Sequence, residues 1–359
     1  MDTALTRLLD RYTLRFPVRE PDRMVIGYVG QDVPVELLTA AGALPVRLAG
    51  LPGTDVAVGE RYLGRGVDKP ARSVLTRLLA GEYGRLDRLL VSRDCEASLR
   101  LFYAVRELRR VEPGLGLPET YLFDLLHLPH WTTTRYDRVR VGELVTVLEK
   151  WTGARLTPDA VAEAITLHDE HRGLLRAVSA SRRGDPPRLT GVQALAAFGA
   201  TLPVAEHNRL LRELLASDLD VHSGQRVFLT GSSHDSPEVY RTLEAAGYVV
   251  VGEDHDWGDL LAARPVGEPT IAALVERYQY NGPTAARASI RDRAEHTARA
   301  AVDCRADVVV SYVRRGDDAP PWDFPAQASA LRARGIPAVL VDRQEYGDID
   351  LEAVVSGVR

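Results

Sequence analysis

Short apolar segments alternate with longer amphipathic segments in the first third of the 359-residue chain. The strands that this pattern predicts are 25–28, 46–48, 89–91 and 121–125. Between the first two, Pro34 begins a predicted helix that carries Leu37 and Leu38, and Gly42 ends it. A longer helix is predicted from Ala97 to Arg110. Such alternation predicts a parallel, doubly wound α/β domain.

The middle of the chain has a different pattern. From residue 140 to 218, apolar positions recur at helical spacing and no strand pattern intervenes. The helices predicted here are 141–151, 158–180 and 192–216, the last of them interrupted at Pro203. Thr157, which precedes Pro158, is a typical N-cap residue. This region is therefore predicted to be helical.

Strand and helix alternation returns at Arg226. The predicted strands are 227–229, 248–251, 308–312 and 338–341, and a long helix over 270–304 is predicted to break at 281–283. The fold class is thus α/β, with two doubly wound parallel-sheet, Rossmann-like domains and a helical segment between them. The predicted boundaries are 1–139 for the N-terminal α/β domain, 140–225 for the helical segment and 226–359 for the C-terminal α/β domain.

Polar residues follow the ends of the predicted strands in both α/β domains. They are Gln31, Asp32, Glu36, Cys95, Ser232, Ser233, Asp254 and the run 314–317. Ligands of doubly wound sheets bind beyond the carboxyl ends of the strands, so we expect these loops to converge on one cleft. Arg314 and Arg315 are candidate partners for an anionic ligand, unless they face solvent. Glu36 could instead be a surface acid in the first turn of a helix, and Ser233 an N-cap.

Composition narrows the possible functions. A net charge of −5 and the absence of a Lys/Arg cluster argue against nucleic acid as a partner. No apolar run approaches the roughly 20 residues that span a bilayer, and the N-terminal residues lack the apolar core of a signal peptide. Two cysteines provide no disulfide framework, so a cytoplasmic location is expected. No G-x-G-x-x-G pattern supports a dinucleotide site.

One segment carries a more specific signal. Residues 26–49 combine a short strand, the pattern P-x-E-L around Glu36 and the run A-A-G-x-x-P-V-R-L. This segment resembles the opening of the 2-hydroxyacyl-CoA dehydratase family, which includes subunits of benzoyl-CoA reductase. Further matches occur in family order at Ser73, 86–87, 93–97, 228–233, 250–254, 306–310 and 335–337.

The resemblance implies a 4Fe-4S cluster held by three cysteines in each subunit, but this chain has only two cysteines. Cys95 matches the second ligand position, Asp68 stands at the first, and Gly316 or Asp317 stands at the third. Cys304 matches no ligand position and is predicted to be a small buried residue. No cluster is therefore expected on the isolated chain, although Asp68 and Asp317 could substitute as iron ligands together with Cys95.

The resemblance also implies a role for one of the residues at the strand ends. Glu36 would act beside the cluster and the acyl-CoA, as a base or by positioning the thioester, with a raised pKa. The candidate substrate-binding residues, taken from their positions at strand ends and not from the resemblance, are Gln31, Ser232, Ser233, Asp254, Arg314 and Arg315. In complete relatives, an ATP-driven activator injects an electron, the thioester carbonyl becomes a ketyl radical anion, and the α-hydroxyl leaves.

Three functions are compatible with these observations. The chain could be a cluster-deficient subunit that contributes to acyl-CoA binding and dehydration while a cysteine-complete paralogous subunit holds the 4Fe-4S cluster. It could be a repurposed homomeric enzyme, such as a homodimer, that acts on a small acid or acyl thioester without a cluster. It could also be a non-catalytic scaffold or binding subunit.

Overall fold

The computed structural model describes residues 3–14, 23–280, 282–284 and 287–358. In the N-terminal region, the elements are α1 Ala4–Leu14, β1 Val25–Val29, α2 Val35–Ala40, β2 Leu44–Arg47, α3 Ala57–Leu63, α4 Lys69–Leu79, β3 Arg88–Ser92, α5 Glu96–Val111 and β4 Glu119–Phe123. The central helices are α6 Trp131–Thr152, α7 Pro158–Arg183, α8 Gly191–Gly199 and α9 Val204–Ala216. The C-terminal elements are β5 Gln225–Gly231, α10 Glu238–Ala245, β6 Tyr248–Glu253, α11 Ile271–Tyr280, α12 Ile290–Asp303, β7 Val308–Arg314, α13 Pro320–Arg332, β8 Ala338–Gln344 and α14 Leu351–Val358.

The eight strands form two four-stranded sheets with the same topology. The strand orders are β2-β1-β3-β4 and β6-β5-β7-β8, and every pairing is parallel. In each sheet the chain leaves the first strand in one direction and later crosses to its other side. This reversal creates a topological switch point between β1 and β3 and another between β5 and β7. The predicted α/β fold class is confirmed.

The central helices agree with the sequence pattern in most respects. Pro203 separates α8 from α9, as predicted. The predicted start of the first central helix was wrong, because α6 begins ten residues earlier, at Trp131. Its first turns expose Trp131 and Val139 to solvent, so they lack the apolar periodicity by which a helix is recognised in sequence. Asn281 of the predicted helix break lies outside the described residues, and α11 and α12 lie on either side of the break.

Buried ion pairs join helix α7 to helix α2 and to strand β6. Arg172 contacts Glu36 of α2, and Arg182 donates hydrogen bonds to both carboxylate oxygens of Glu253 at the end of β6. The Tyr240 hydroxyl also donates to Glu253, at 3.0 Å. All these side chains are nearly inaccessible to solvent. Because breaking a buried pair leaves an unpaired buried charge, these contacts hold the two sheets in a defined arrangement around α7.

Cys304 lies in the core of the C-terminal sheet. Its side chain is fully buried with Phe228, Val309 and Leu331. It packs there as a small apolar residue, and the prediction made from its sequence context is confirmed.

Candidate functional site

A cleft of about 370 Å³ lies where the carboxyl ends of the two sheets face each other. Its walls are the loops after β1, β3, β5, β6 and β7 and the N-terminal end of α4. Both switch points require glycine. A Cβ on Gly30 (φ +95°) would lie 2.7 Å from Cβ of Ser92, and one on Gly231 (φ +101°) would lie 2.2 Å from the carbonyl oxygen of Tyr312. Neither position could carry a side chain without moving the backbone.

The three positions that the family resemblance relates to cluster ligands meet in this cleft. Asp68, Cys95 and Asp317 all line it, although they are far apart in the sequence. Arg314 lies between the two aspartates: its Nη2 is 2.7 Å from Oδ2 of Asp68 and 3.7 Å from Oδ2 of Asp317. Ser232 completes the network, because its Oγ donates to Asp317 Oδ2 at 2.6 Å and accepts from the Arg314 backbone N–H at 3.0 Å.

The environment of Arg314 stabilises its charge. Burial alone would lower the pKa of the guanidinium, but Asp68 and Asp317 raise it further above its ordinary value. The same guanidinium donates to the backbone oxygen of Ser233. Arg314 is thus a fixed cation whose charge is already balanced by carboxylates.

Cys95 forms the N-cap of α5, where its Sγ accepts a hydrogen bond from the backbone N–H of Ser98 at 3.5 Å. The thiol reaches solvent in the cleft, but the surrounding walls reduce its hydration. This desolvation, together with the nearby Asp94 carboxylate, raises the pKa of Cys95 to about 12. The thiolate is the nucleophile and metal-binding form, so Cys95 is held in its unreactive state at neutral pH.

Asp254 provides an ionisable acid at the opposite side of the cleft. Its Oδ2 accepts hydrogen bonds from Thr230 at 3.0 Å and Thr297 at 2.5 Å. Burial raises the pKa of Asp254 to about 6, against the effect of these two hydrogen bonds. A carboxyl group that titrates near neutral pH can both donate and accept a proton in the physiological range.

Glu36 differs from its predicted state in two respects. The side chain is fully buried and lines neither the cleft nor any neighbouring cavity, because it points toward Arg172 and accepts from the Tyr278 hydroxyl at 2.9 Å. The prediction of a raised pKa was also wrong. Burial alone would raise the pKa, but the charges of Arg172, Arg277 and His168 lower it to about 2. Glu36 is a permanent carboxylate in an ion pair.

The other predicted binding residues divide between the cleft and the surface. Gln31 and Ser233 line the cleft, and Ser233 Oγ donates to Asp256 at 2.6 Å. Ser232 is buried directly behind them. The expectation that Arg315 reaches the cleft was wrong: it is 71% exposed and pairs with Glu345 at 3.1 Å. β7 ends at Arg314, and Arg315 is the first residue of the turn that follows, where its side chain lies on the surface.

A second space, which we call the inner cavity, lies beside the cleft and has a volume of about 190 Å³. Its walls come from β1, β2, α7, α11 and the α8–α9 region. Five residues line both spaces: Gly30, Gln31, Arg47, Asp256 and Trp257. Arg47 contacts the Asp256 carboxylate, donates to the Asp256 backbone oxygen at 2.6 Å and stacks 3.7 Å from the Trp257 ring centre. This stacked ion pair forms the partition between the cleft and the inner cavity.

Several residues that set the electrostatics of both spaces are not among those expected from the sequence. They are Arg47, Asp94, Arg172, Asp256, Arg277 and Tyr278. Of these, Arg47, Asp94 and Asp256 had a usable signal, since all three lie at or just after strand ends and could have been considered together with the other strand-end residues. Arg172, Arg277 and Tyr278 lie in the interior of helices, where an isolated polar side chain predicts nothing about its partner.

Two doubly wound sheets with a shared cleft at their carboxyl edges define a class of α/β ligand-binding protein. Comparison with known proteins gives the family. Residues 31–355 match the family model described as 2-hydroxyglutaryl-CoA dehydratase, D-component. The chain therefore belongs to this family, and the resemblance noted in the sequence is confirmed.

Individual relatives carry related descriptions. The chain is 27% identical to a benzoyl-CoA reductase subunit of Thauera aromatica over 251 residues, which are 66% of this chain and 62% of that relative. It is 21% identical to the (R)-phenyllactyl-CoA dehydratase beta subunit of Clostridium sporogenes, and 20% identical to the lactoyl-CoA dehydratase beta subunit of Anaerotignum propionicum. Each of these two matches covers 90% of this chain and 87% of the relative. The match to the reductase relative thus spans less than two thirds of that protein.

The described residues include no helix that is long and apolar enough to span a membrane.

Proposed function

We propose that this chain is a cluster-deficient subunit of a 2-hydroxyacyl-CoA dehydratase-type assembly, and that it contributes to binding the acyl thioester. The observation that carries the proposal is the position of Arg314. Its guanidinium bridges Asp68 and Asp317, which stand at two of the three positions related to cluster ligands. A cation balanced by two carboxylates stabilises this part of the cleft without a metal.

The donor groups in the cleft do not fit a 4Fe-4S cluster. Such clusters need several thiolates, whereas Cys95 is the one cysteine at these positions. The carboxylates of Asp68 and Asp317 are hard oxygen donors and are already paired with Arg314. Among the described residues, no three His, Cys, Asp or Glu side chains are grouped so that they could hold a metal ion. The redox centre of the assembly is therefore assigned to a cysteine-complete partner subunit.

The charges of the cleft indicate which part of an acyl-CoA it would receive. Its arginines are Arg47, Arg293 and Arg314, and each pairs with an aspartate. Further acids remain, including Asp94 and Asp254, whose pKa values are raised by burial. CoA phosphates would be repelled by this excess of acids. We therefore place the uncharged thioester end in the cleft, near Gln31, Ser233 and Asp254, and the nucleotide outside it.

The names of the relatives support a multi-subunit assembly, since each of the three is described as a subunit of a larger enzyme. In our proposal the partners are a cysteine-complete paralogous subunit and, through that subunit, an ATP-dependent activator. Glu36 serves as a positioning residue: it holds Arg172 and Tyr278 at the boundary of the inner cavity and does not exchange protons with substrate.

The proposal is tested by measuring iron and acid-labile sulfide in the chain after strictly anaerobic purification, with low-temperature electron paramagnetic resonance of the reduced protein. We expect neither near-stoichiometric iron and sulfide nor a cluster signal. A full cluster in each chain would overturn the proposal. The matched sample is the assembly co-purified with a cysteine-complete paralogue. In that sample, the iron content should correspond to the amount of the partner subunit alone.

A second function is favoured by one observation, the pKa of about 6 for Asp254 in the cleft. A homomeric enzyme could use this carboxyl as a general acid or base in redox-neutral chemistry on an acyl thioester or a small acid. Turnover by the isolated, iron-free chain that is lost in Asp254→Asn would favour this function. Binding of acyl-CoA without turnover, alone or with a partner, would instead indicate a binding subunit.

A further inference from the structure

The inner cavity differs from the cleft in the nature of its walls. Most of its lining is apolar, with Phe198, Leu202, Val204 and Leu261 on one side. An apolar cavity of about 150 Å³ in a protein interior can hold benzene, so a volume of about 190 Å³ accommodates a ligand of one ring or a short branched chain. The cavity is therefore large enough for a compact apolar molecule.

One wall of the inner cavity carries two buried arginines that are not equally neutralised. Arg172 pairs with Glu36 and, at 2.7 Å, with Asp169. Arg277 is only 4% exposed, and its Nε donates to the backbone oxygen of Arg264 at 3.0 Å. Within the described part of the chain, Arg277 forms no ion pair with a carboxylate. Burial and the neighbouring charge of Arg172 lower the pKa of Arg277, and the nearby charges of Glu36 and Asp169, which are engaged by Arg172, only partly offset this effect.

The histidines that line the inner cavity add no positive charge to that of the two arginines. Burial lowers the pKa of His168 and His207 to about 4, and lowers that of His171 well below its usual value. All three are neutral at pH 7. The hydroxyl of Tyr28, which also lines the cavity, makes no hydrogen bond to any residue in the described ranges. It is an additional donor for a ligand oxygen.

We propose that the inner cavity binds a compact apolar carboxylate, whose carboxylate group pairs with the guanidinium of Arg277 and whose hydrocarbon part packs against the apolar walls. An anion at this position would neutralise a buried cation, and arginine binds carboxylates through two parallel hydrogen bonds. The cavity is separated from the cleft by the Arg47–Asp256 pair, so this site does not depend on the cluster deficiency proposed above.

The carboxylate could belong to a free acid or to the far end of an acyl chain that enters from the cleft past Arg47. Both sources offer the same chemistry to Arg277. Succinyl-CoA and butyryl-CoA distinguish them, because the two acyl chains have the same length and only succinyl-CoA has a terminal carboxylate. Displacement of a bound free acid by succinyl-CoA but not by butyryl-CoA identifies the acyl chain as a source. Displacement by neither identifies the free acid.

The binding test is titration calorimetry of the full-length protein with benzoate, using benzamide as the uncharged control of the same shape. We expect benzoate to bind and benzamide to bind at least tenfold more weakly. Arg277→Met should lower the benzoate affinity at least tenfold, whereas Arg209→Met, on an exposed face of α9, should leave it unchanged. Equal binding of benzoate by wild type and Arg277→Met, or no binding by wild type, would overturn the proposal.

A second variant tests the location independently of charge. Val204→Phe keeps Arg277 and takes up part of the cavity volume. It should abolish benzoate binding while the melting temperature stays within a few degrees of wild type. Undiminished benzoate binding by a folded Val204→Phe variant would place the ligand elsewhere and overturn the assignment.

Discussion

The cleft and the inner cavity share the wall formed by Arg47, Asp256 and Trp257, yet their charges are organised in opposite ways. In the cleft every arginine has an aspartate partner, and acids are in excess. In the inner cavity Arg277 has no carboxylate partner among the described residues. The cleft is therefore stable with its own side chains alone, whereas the inner cavity would gain from an anion.

The cleft also shows that a family's site geometry can be kept while the chemical groups at the site differ. The strand-end loops bring Asp68, Cys95 and Asp317 to one place, as the topology of two facing sheets requires. The side chains at that place form an ion-pair network centred on Arg314. The contrast between the charges of the cleft and those of the inner cavity can be tested by measuring the stability of variants in each of the two spaces.

The largest effect is expected at Glu36. Glu36→Gln removes the negative charge that neutralises Arg172 in a fully buried site, so we expect a loss of about 3–5 kcal/mol in the free energy of unfolding. The measurement is urea unfolding at pH 7, followed by circular dichroism. Glu163→Gln, on the outer side of α7, is the control and should change stability by less than about 0.5 kcal/mol. If both variants were equally stable, Glu36 would have to be solvated rather than ion-paired.

The fold could be predicted from sequence because it depends on local patterns. Strand and helix alternation is visible residue by residue, and the topology of parallel sheets then places strand ends together. The positions of Gln31, Asp254 and Arg314 in the cleft follow from that rule.

The electrostatics could not be predicted in the same way. The pKa of Glu36 depends on Arg172 and Arg277, which are 136 and 241 residues further along the chain, on other elements. Burial and opposite charges act in opposite directions, so even the sign of the shift required the tertiary contacts. The difference between Arg314 and its neighbour Arg315 likewise depended on tertiary structure, because β7 ends at Arg314 and Arg315 lies in the turn after it.

A smaller effect is expected at Arg314. Arg314→Met leaves Asp68 and Asp317 without their cation, but these side chains are 21% and 25% exposed and can be partly hydrated. We expect a loss of about 2–3 kcal/mol in urea unfolding. Adding Asp68→Asn and Asp317→Asn to the same chain should recover most of it, because no unpaired charge then remains. Failure of the triple variant to recover would mean that Arg314 acts by packing and not by charge.

The two spaces should also respond oppositely to acid. In the inner cavity, His168 and His207 have folded-state pKa values near 4, below the ordinary 6.5. As the pH falls, the unfolded chain therefore takes up protons on these histidines before the folded chain does. The stability that depends on the two neutral histidines is complete above pH 6.5 and is lost as the pH falls to 4. In the cleft, Asp254 has a folded-state pKa of about 6, above 3.8, so the folded chain holds this proton and gains stability as pH falls through the same window.

Unfolding free energies measured between pH 7 and 4 separate the two contributions. The His168→Gln/His207→Gln double variant should lose less stability on acidification than wild type, by on the order of 3 kcal/mol for each histidine. Asp254→Asn should lose more than wild type, because it lacks the compensating carboxyl. If the unfolding free energies of the three proteins changed in parallel with pH, the shifted pKa values of these groups would be contradicted.

The smallest effect is expected at Arg277, and it is the most direct test of the contrast between the two spaces. Arg277→Met removes a buried cation that has no carboxylate partner among the described residues, and it also removes the hydrogen bond to Arg264. The relief of a desolvated buried charge is of similar size to the combined loss of one hydrogen bond and of the attraction to Glu36 and Asp169, so we expect a change within about 1 kcal/mol, in either direction. The same arginine-to-methionine change at Arg314 should cost clearly more. A loss of about 3 kcal/mol or more at Arg277 would show that the protein itself supplies an anionic partner there, and the inner cavity would then be as fully neutralised as the cleft.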